Sequence, residues 1–204
     1  MTNDTNKIGS KKRVRRDRRE EILQAASNLF SIHGFSGASL SSVAEAVELT
    51  EPGLLHYFPS KVHLLQSVLA YRDQQDEKKY SALIQPEILH LPEIFEALEN
   101  LVAENENKPG LVRLFTVLVG ESIRDDHPSH DYFVNRYKQV RETLKAYLND
   151  VKDIPADIDI TQLSSLIFAV MDGLQIQWLL DPENVNMSES FKLFSKIIVG
   201  YLQK

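Results

Sequence analysis

Apolar residues return with a helical period along nearly the whole chain. From Arg16 onward Ile22, Ala25, Ala26, Leu29 and Phe30 recur three or four positions apart, which predicts a helix with one face turned inward. His33-Gly34 ends that helix, since glycine accepts the positive φ of a helix terminus. Ser39 or Ser42 caps a second, short helix holding Val43, Ala44 and Val47, and Ser42-Val43-Ala44-Glu45 has the capping-box pattern. Thr50 caps a third helix, in which Pro52 is tolerated because it falls in the first turn. Pro59-Ser60 breaks the chain and starts a fourth helix with Leu64, Leu65, Val68 and Leu69 on one side. That helix turns polar from Asp73 to Lys79 and then carries Tyr80, Leu83 and Ile84. Its about 23 residues would span roughly 35 Å, long enough to belong to two domains.

Behind Pro86 the pattern predicts five more helices, over residues 92–106, 110–124, 128–150, 160–180 and 188–203. Pro109-Gly110, Asp125-Asp126-His127-Pro128, Ile154-Pro155 and Asp181-Pro182 punctuate them. Strand alternation and internal repeats are absent from the sequence. The expected fold is all-α, with about nine helices. A three-helix unit with helix-turn-helix spacing is expected over residues 13–62, behind a disordered basic leader over 1–12. A second helical domain is expected over 63–204.

Composition narrows the chemistry. Apolar residues make up 43% of the 204, as in an ordinary globular chain. The absence of cysteine removes disulfides, thiol nucleophiles and zinc fingers. The polar, then basic N-terminus lacks an apolar signal core, and no uninterrupted run of eighteen apolar residues occurs. A cytoplasmic protein without a membrane segment is expected. The net charge of −6 would count against a nucleic-acid partner were it evenly spread. Residues 1–62 instead carry nine Lys and Arg against seven Asp and Glu, and the remainder carries fourteen against twenty-two. A basic front and an acidic rear suit a chain that presents only one end to phosphates.

The front segment has the form of a reading head. In a helix-turn-helix the second helix enters the major groove while the first lies across the backbone. Thr50, Glu51, Pro52, Gly53 and His56 lie at or near the exposed start of the reading helix. Tyr57 and Lys61 can reach phosphates, Ser39 and Ser41 can add hydroxyl contacts, and the arm from Lys11 to Arg19 can meet a neighbouring groove or phosphate. Leu54 and Phe58, four apart, are read as the residues that hold this helix to Ile22, Phe30, Val43 and Val47.

The segment from Phe30 to Leu65 resembles the tetracycline-repressor (TetR) family of bacterial regulators. The residues that carry the likeness are His33-Gly34-Phe35, Ser39-Leu40-Ser41-Ser42-Val43-Ala44 and Leu54-Leu55-His56-Tyr57-Phe58-Pro59-Ser60-Lys61. The resemblance implies a homodimer that binds a near-palindromic double-stranded operator and leaves it when a small-molecule effector enters the rear domain, more often as a repressor than as an activator. It places base-facing residues at Glu51, Pro52, Gly53 and Leu55, phosphate-facing residues at Tyr57 and Lys61, and the second helix's cap at Ser39. Two positions depart from the family pattern. Glu48 stands where glycine is usual in the turn, so it must avoid positive φ or tolerate strain. Leu55 replaces a common tyrosine, which exchanges a hydroxyl for a group able to touch a thymine methyl.

The rear domain offers two surfaces. Leu163 to Leu180 is apolar around most of its circumference, as in a helix buried on more than one side. Leu166, Val170, Gly173, Leu174 and Gln177 on that helix, with Phe191, Phe194, Ile198 and Tyr201 on the last, are candidates for a four-helix dimer interface. The resemblance implies the same pairing; the alternative is that both helices complete a monomer core. Candidate ligand walls are Phe95, Leu98, Phe115, Val119, Phe133, Tyr137, Phe168, Met171 and Trp178. Asp172, Gln175, Arg113 and Glu121 are the candidate polar anchors. Asp172 and Gln175, one turn apart, form the leading pair and favour a ligand bearing hydroxyl, amide or amine groups. Asp125-Asp126-His127-Pro128-Ser129-His130-Asp131 has metal-binding residue types, but it reads better as a solvated loop with a capping role.

No cofactor is called for. The sequence lacks a Gly-rich phosphate loop, a His-Glu-x-x-His pair and a Gly-x-Ser-x-Gly elbow, so an enzyme is not expected. The competing class is a helical interaction protein with a vestigial DNA-binding end. Glu51 supplies a test at the level of one side chain. Its carboxylate either accepts from a cytosine amino group or only favours the helix N-terminus. Under the first alternative Glu51→Gln changes base preference at one operator position, and a binding-site selection that returns an unaltered sequence removes the assignment.

Overall fold

The computed structural model describes the backbone of residues 5–81, 90–151 and 154–203, and the side chains of these except 5–17, 76, 77 and 79–81. Among the described residues there are nine helices and no strand. These are α1 Thr5–Gly37, α2 Leu40–Ala46, α3 Glu51–Tyr57, α4 Lys61–Ser81, α5 Leu91–Glu106, α6 Pro109–Glu121, α7 His130–Asp150, α8 Ile160–Leu180 and α9 Met187–Leu202. The chain divides into two compact units, 1–73 and 74–204, at a point inside α4. The backbone is helical from Thr5, where the sequence suggests a leader without structure; residues 1–4 lie outside the described ones. The apolar group Tyr80, Leu83 and Ile84 and the break at Pro86 also lie outside what is described.

In the front unit each helix contributes one buried stripe. Ile22, Leu23, Ala26 and Phe30 come from α1, Val43 and Ala44 from α2, Leu54 from α3, and Leu64, Leu65, Val68 and Leu69 from α4. Val47 and Phe58, the residues that follow α2 and α3, complete this core. Gly34 has φ 70° and breaks the helical backbone of α1 as its sequence suggests, with one more turn beyond it. Space is not the constraint there, because a Cβ on Gly34 would meet nothing within 4 Å.

The start of α2 corrects one expectation. Ser39 is the cap, its Oγ accepting from Ser42 N at 3.0 Å, and Ser42 Oγ in return accepts from Ser39 N at 3.1 Å. The capping box is therefore Ser39 with Ser42, not Ser42 with Glu45, because Ser39 has the extended backbone that a cap requires. The far end of α2 forms a Schellman turn. Leu49 N donates to Ala44 O at 2.8 Å and Glu48 N to Glu45 O at 3.1 Å. Glu48 takes the left-handed position at φ 53°.

In the rear unit α5 packs against α9, and α8 touches α6, α7 and α9. Leu91, Ile94, Phe95, Val102, Leu144, Leu148, Leu163, Ile167, Met171, Met187 and Phe191 form its core. Asp159 caps α8 through Thr161 N at 2.8 Å, and Asn186 caps α9 through Glu189 N at 2.9 Å. Glu106, the last residue of α5, also accepts from Ser188 N at 3.0 Å and from Ser188 Oγ at 2.5 Å. That carboxylate ties the end of α5 to the positive end of α9. By length and composition α8 is apolar enough to cross a bilayer, although polar residues interrupt its apolar run.

The turn at Glu48 yields a stability prediction. Left-handed backbone costs a non-glycine residue about 1–2 kcal/mol, and glycine gives back about 0.5–1 kcal/mol through unfolded-state entropy. Glu48→Gly should therefore stabilise the chain by up to about 1 kcal/mol, and Glu48→Val should destabilise it. Denaturant unfolding of both variants measures the difference, and a destabilised glycine variant would contradict it.

Candidate functional site

The turn after α2 and the cap on α3 set what the front unit can present. Thr50 Oγ1 accepts from Gly53 N at 3.2 Å, which leaves its hydroxyl proton to donate outward. A Cβ on Gly53 would stand 3.2 Å from that Oγ1, so glycine keeps the first turn of α3 tight against its cap. Thr50, Glu51, Pro52 and His56 are exposed, while Gly53, Leu55 and Tyr57 are half-buried. Leu54 and Phe58, 0% and 1% exposed, are the residues on which α3 is seated. Each stabilises the unit by about 1.5–3 kcal/mol through burial.

Around α3 the polar candidates divide. Ser39 and Ser41 are exposed, their Oγ atoms 2.9 Å apart. Lys61, at the start of α4, is half-buried; its Nζ lies 4.7 Å from the Phe35 ring centroid and donates to Ser36 O at 3.4 Å. The side chains of the arm from Lys11 to Asp17 lie outside the described ones. Arg18 and Arg19 turn toward their own fold. Arg18 reaches Val47 O and Glu21, and Arg19 reaches Tyr57 O and Ser67 Oγ.

In the rear unit the structure brings together Tyr137 of α7 and Asp172 of α8, Tyr137 Oη donating to Asp172 Oδ2 at 2.7 Å. Phe115 and Phe133 meet edge to face at 5.3 Å, and the Arg136 guanidinium, whose charge acts on both Tyr137 and Asp172, stands 4.4 Å over the Phe115 ring. Sequence reasoning names Phe115, Phe133, Tyr137 and Asp172, but it misses Arg136, whose place over a ring carries no sequence signal. Burial raises the Asp172 carboxyl above its ordinary range, while the Tyr137 hydrogen bond and the Arg136 charge act against that rise. Burial and the neighbouring carboxylate likewise hold the Tyr137 hydroxyl up.

The other ligand candidates are placed as follows. Phe95 and Met171 are buried in the core, with Phe168 and Trp178 packed against it. Gln175 is buried and Val119 half-buried, whereas Arg113 and Glu121 are exposed. In the Asp125 to Asp131 loop, Arg124 pairs with Asp126 at 2.8 Å, His127 Nδ1 lies 3.0 Å from Ser122 Oγ, and His130 Nδ1 lies 2.8 Å from Ser122 O. Among the described residues no three His, Asp or Glu side chains are gathered to hold a metal.

The dimer candidates fall into two groups. Leu166, Gln177 and Tyr201 are exposed, whereas Val170, Leu174, Phe194 and Ile198 pack against the rear unit's own core. Gly173 is half-buried and Phe191 is wholly buried. The exposed stripe also holds Ile176 and Leu180 on α8 and Leu193 and Ile197 on α9, between 47% and 80% exposed. Ile176 and Leu180 escape sequence reasoning because an all-round apolar helix does not say which side its own unit covers.

Comparison with known proteins covers both units. The pattern of the tetR family of bacterial regulatory proteins matches residues 22–68. That of the C-terminal region of BetI-type transcriptional repressors matches residues 93–200. A nucleoid occlusion factor SlmA of Sodalis glossinidius is 24% identical over 200 residues, covering 96% of this chain and all of that protein. The HTH-type transcriptional regulator AcrR of Shigella flexneri is 24% identical over 195 residues, covering 92% of this chain and 90% of that one. Among solved structures, a TetR transcription regulator from Haloarcula marismortui aligns with TM-score 0.77 at 18% identity, over 91% of this chain and 98% of that one. The regulator FadR of Bacillus subtilis, solved with stearoyl-CoA, aligns with TM-score 0.74 at 13% identity, over 88% and 97%.

The Asp172 environment gives a pH prediction. The unfolded chain ionises this carboxyl at its ordinary value and the folded chain only at a higher pH, so stability falls as pH rises through that window. Asp172→Asn should therefore melt at a higher temperature than the native chain at pH 7, and the gap should close near about pH 4. Thermal melts at the two pH values check this; an asparagine variant that is less stable at both would contradict it.

Proposed function

The chain belongs to the tetR family of bacterial regulatory proteins, a family of DNA-binding transcriptional regulators, and from that premise we propose that it is a cytoplasmic repressor acting as a homodimer on a near-palindromic operator. The exposed start of α3, seated on two fully buried residues, is the single observation that carries the reading. Groove-facing contacts are assigned to Thr50, Glu51, Pro52, Gly53, Leu55 and His56, phosphate contacts to Tyr57 and Lys61, and hydroxyl contacts to Ser39 and Ser41. The domain organisation follows: a reading unit through about residue 62 and a ligand-binding and dimerising unit behind it.

The exposed apolar stripe on α8 and α9 supports the dimer. Leu180 is 80% exposed, and Leu166, Leu193, Ile197 and Tyr201 are each near 60%. Large apolar residues clustered this way mark a contact surface. A two-fold pairing of α8 and α9 would cover the stripe and make the apolar character of α8 a subunit interface, not a lipid one. The Asp172–Tyr137 pair with Phe115 and Phe133 supports an effector site in the rear unit, Phe95, Val119, Phe168, Met171, Gln175 and Trp178 being its further candidates. The FadR fold relative solved with stearoyl-CoA supports a small molecule as the occupant class. An effector shifts operator affinity only by the difference in its own affinity for the two states of the rear unit.

Relatives named nucleoid occlusion factors favour a second reading, in which the same dimeric DNA binding serves that role. A thermal-shift panel of small molecules separates the two, since an effector that binds the folded chain raises its melting point. The repressor reading itself is tested by enriching duplexes from a random pool with the full chain. Near-palindromic sites with half-sites roughly 34–36 Å apart are expected, with affinity falling steeply as salt rises. Leu180→Glu with Ile197→Glu should give folded monomers in sedimentation and lose binding to those sites. Unchanged dimers, or monomers that bind equally well, would refute the interface.

A further inference from the structure

Arg18 and Arg19 belong to the basic stretch whose chemistry suits phosphates, yet their hydrogen bonds point into the front unit. Arg18 Nη2 donates to the carbonyl of Val47, 29 positions away, and its Nη1 is fixed by Glu21 Oε2 at 2.7 Å. Arg19 Nη1 donates to Tyr57 O at 3.3 Å and its Nη2 to Ser67 Oγ at 3.3 Å, with the guanidinium 4.3 Å over the Phe58 ring. We propose that Arg18 and Arg19 are positioning residues, a brace that fastens the turn leading into the reading helix α3 and the last residue of that helix, so that operator affinity depends on their geometry and not on their charge.

The two carbonyls are the ones a short helix pair leaves open. Val47 caps α2 and precedes the left-handed residue Glu48, so its carbonyl lies beyond the last intrahelical bond. Tyr57 ends α3, where the last carbonyls likewise lack helical partners. Arg18 therefore holds the turn that enters α3, and Arg19 holds its exit and ties it to α4 through Ser67. Leu54 and Phe58 resist rotation of α3 out of the core; the two guanidinium groups resist sliding along its axis. Each arginine spreads its fork over more than one partner, which a lysine ammonium on a single point cannot do.

The inference rests on α3 being the groove-facing helix, and the test separates the two. The full chain and its variants are titrated with the duplex that the native chain enriches, over a series of salt concentrations. Arg18→Lys and Arg19→Lys are each expected to lose about ten-fold in affinity, as much as Arg18→Gln and Arg19→Gln, with the log–log salt slope unchanged. A phosphate contact behaves oppositely: each glutamine variant removes two charges from the homodimer, so the slope drops by about 1.8, and lysine restores binding. That outcome, or unaltered affinity, overturns the brace. Two milder variants cover a failure to fold. Ser67→Ala keeps every charge and should cost a few-fold in affinity at constant slope; no cost overturns the Arg19 half. Glu21→Ala removes a negative charge from a surface near a polyanion, so a gain in affinity overturns the Arg18 half and a loss supports it. Enrichment of no duplex by the native chain would overturn the reading of α3 and the brace with it, whereas binding with a reduced slope overturns the brace alone.

Discussion

Helix α3 has seven residues, and a helix of that length does not hold its shape in water. It persists because Leu54 and Phe58 are buried to 0% and 1% exposure in a core built by four helices. Everything the front unit can do with DNA follows from that burial. Two residues a turn apart point inward, so Glu51, Pro52 and His56 are left facing out. Local devices refine the seating. Thr50 caps the start, Gly53 keeps the first turn close, and the Schellman turn at Glu48 sets the direction of entry. The strain at Glu48 is tolerated within a unit whose buried stripes over-determine the turn.

The rear unit is governed by a different constraint, the incomplete covering of apolar surface. Helix α8 buries Leu163, Ile167, Met171 and Gln175 on one side and leaves Leu166, Ile176 and Leu180 exposed on the other. The last helix does the same with Phe191 inward and Leu193, Ile197 and Tyr201 outward. Against this apolar background, burial pushes the half-buried Asp172 carboxyl above its ordinary range. A burial-shifted carboxyl that accepts from a tyrosine hydroxyl beside a guanidinium charge is the kind of feature found at binding sites.

Much of the architecture was legible beforehand because its signals are local. Proline, glycine and aspartate clusters marked where the rear helices end, and the observed α5, α8 and α9 begin and stop within a residue or so of the expected ranges. Leu54 and Phe58 were readable as anchors because their four-residue spacing places them on one face. The capping box was misplaced by three residues. Serine at 39 and at 42 satisfies the same chemistry, and only the backbone angles before α2 choose between them. For Glu48, the family resemblance posed the question of positive φ and the folded backbone answers it.

By itself, then, the chain determined helix periodicity, the ends of several helices and the family likeness, all of which depend on neighbours within a turn or two. Tertiary structure alone decided where long charged side chains go and which face of a doubly apolar helix is covered. Arg18 and Arg19 read as members of a basic arm until Val47, Tyr57 and Ser67, between 29 and 48 positions away, are brought within reach. A flexible cation takes whatever acceptor folding supplies, and no local pattern encodes an acceptor that far along the chain.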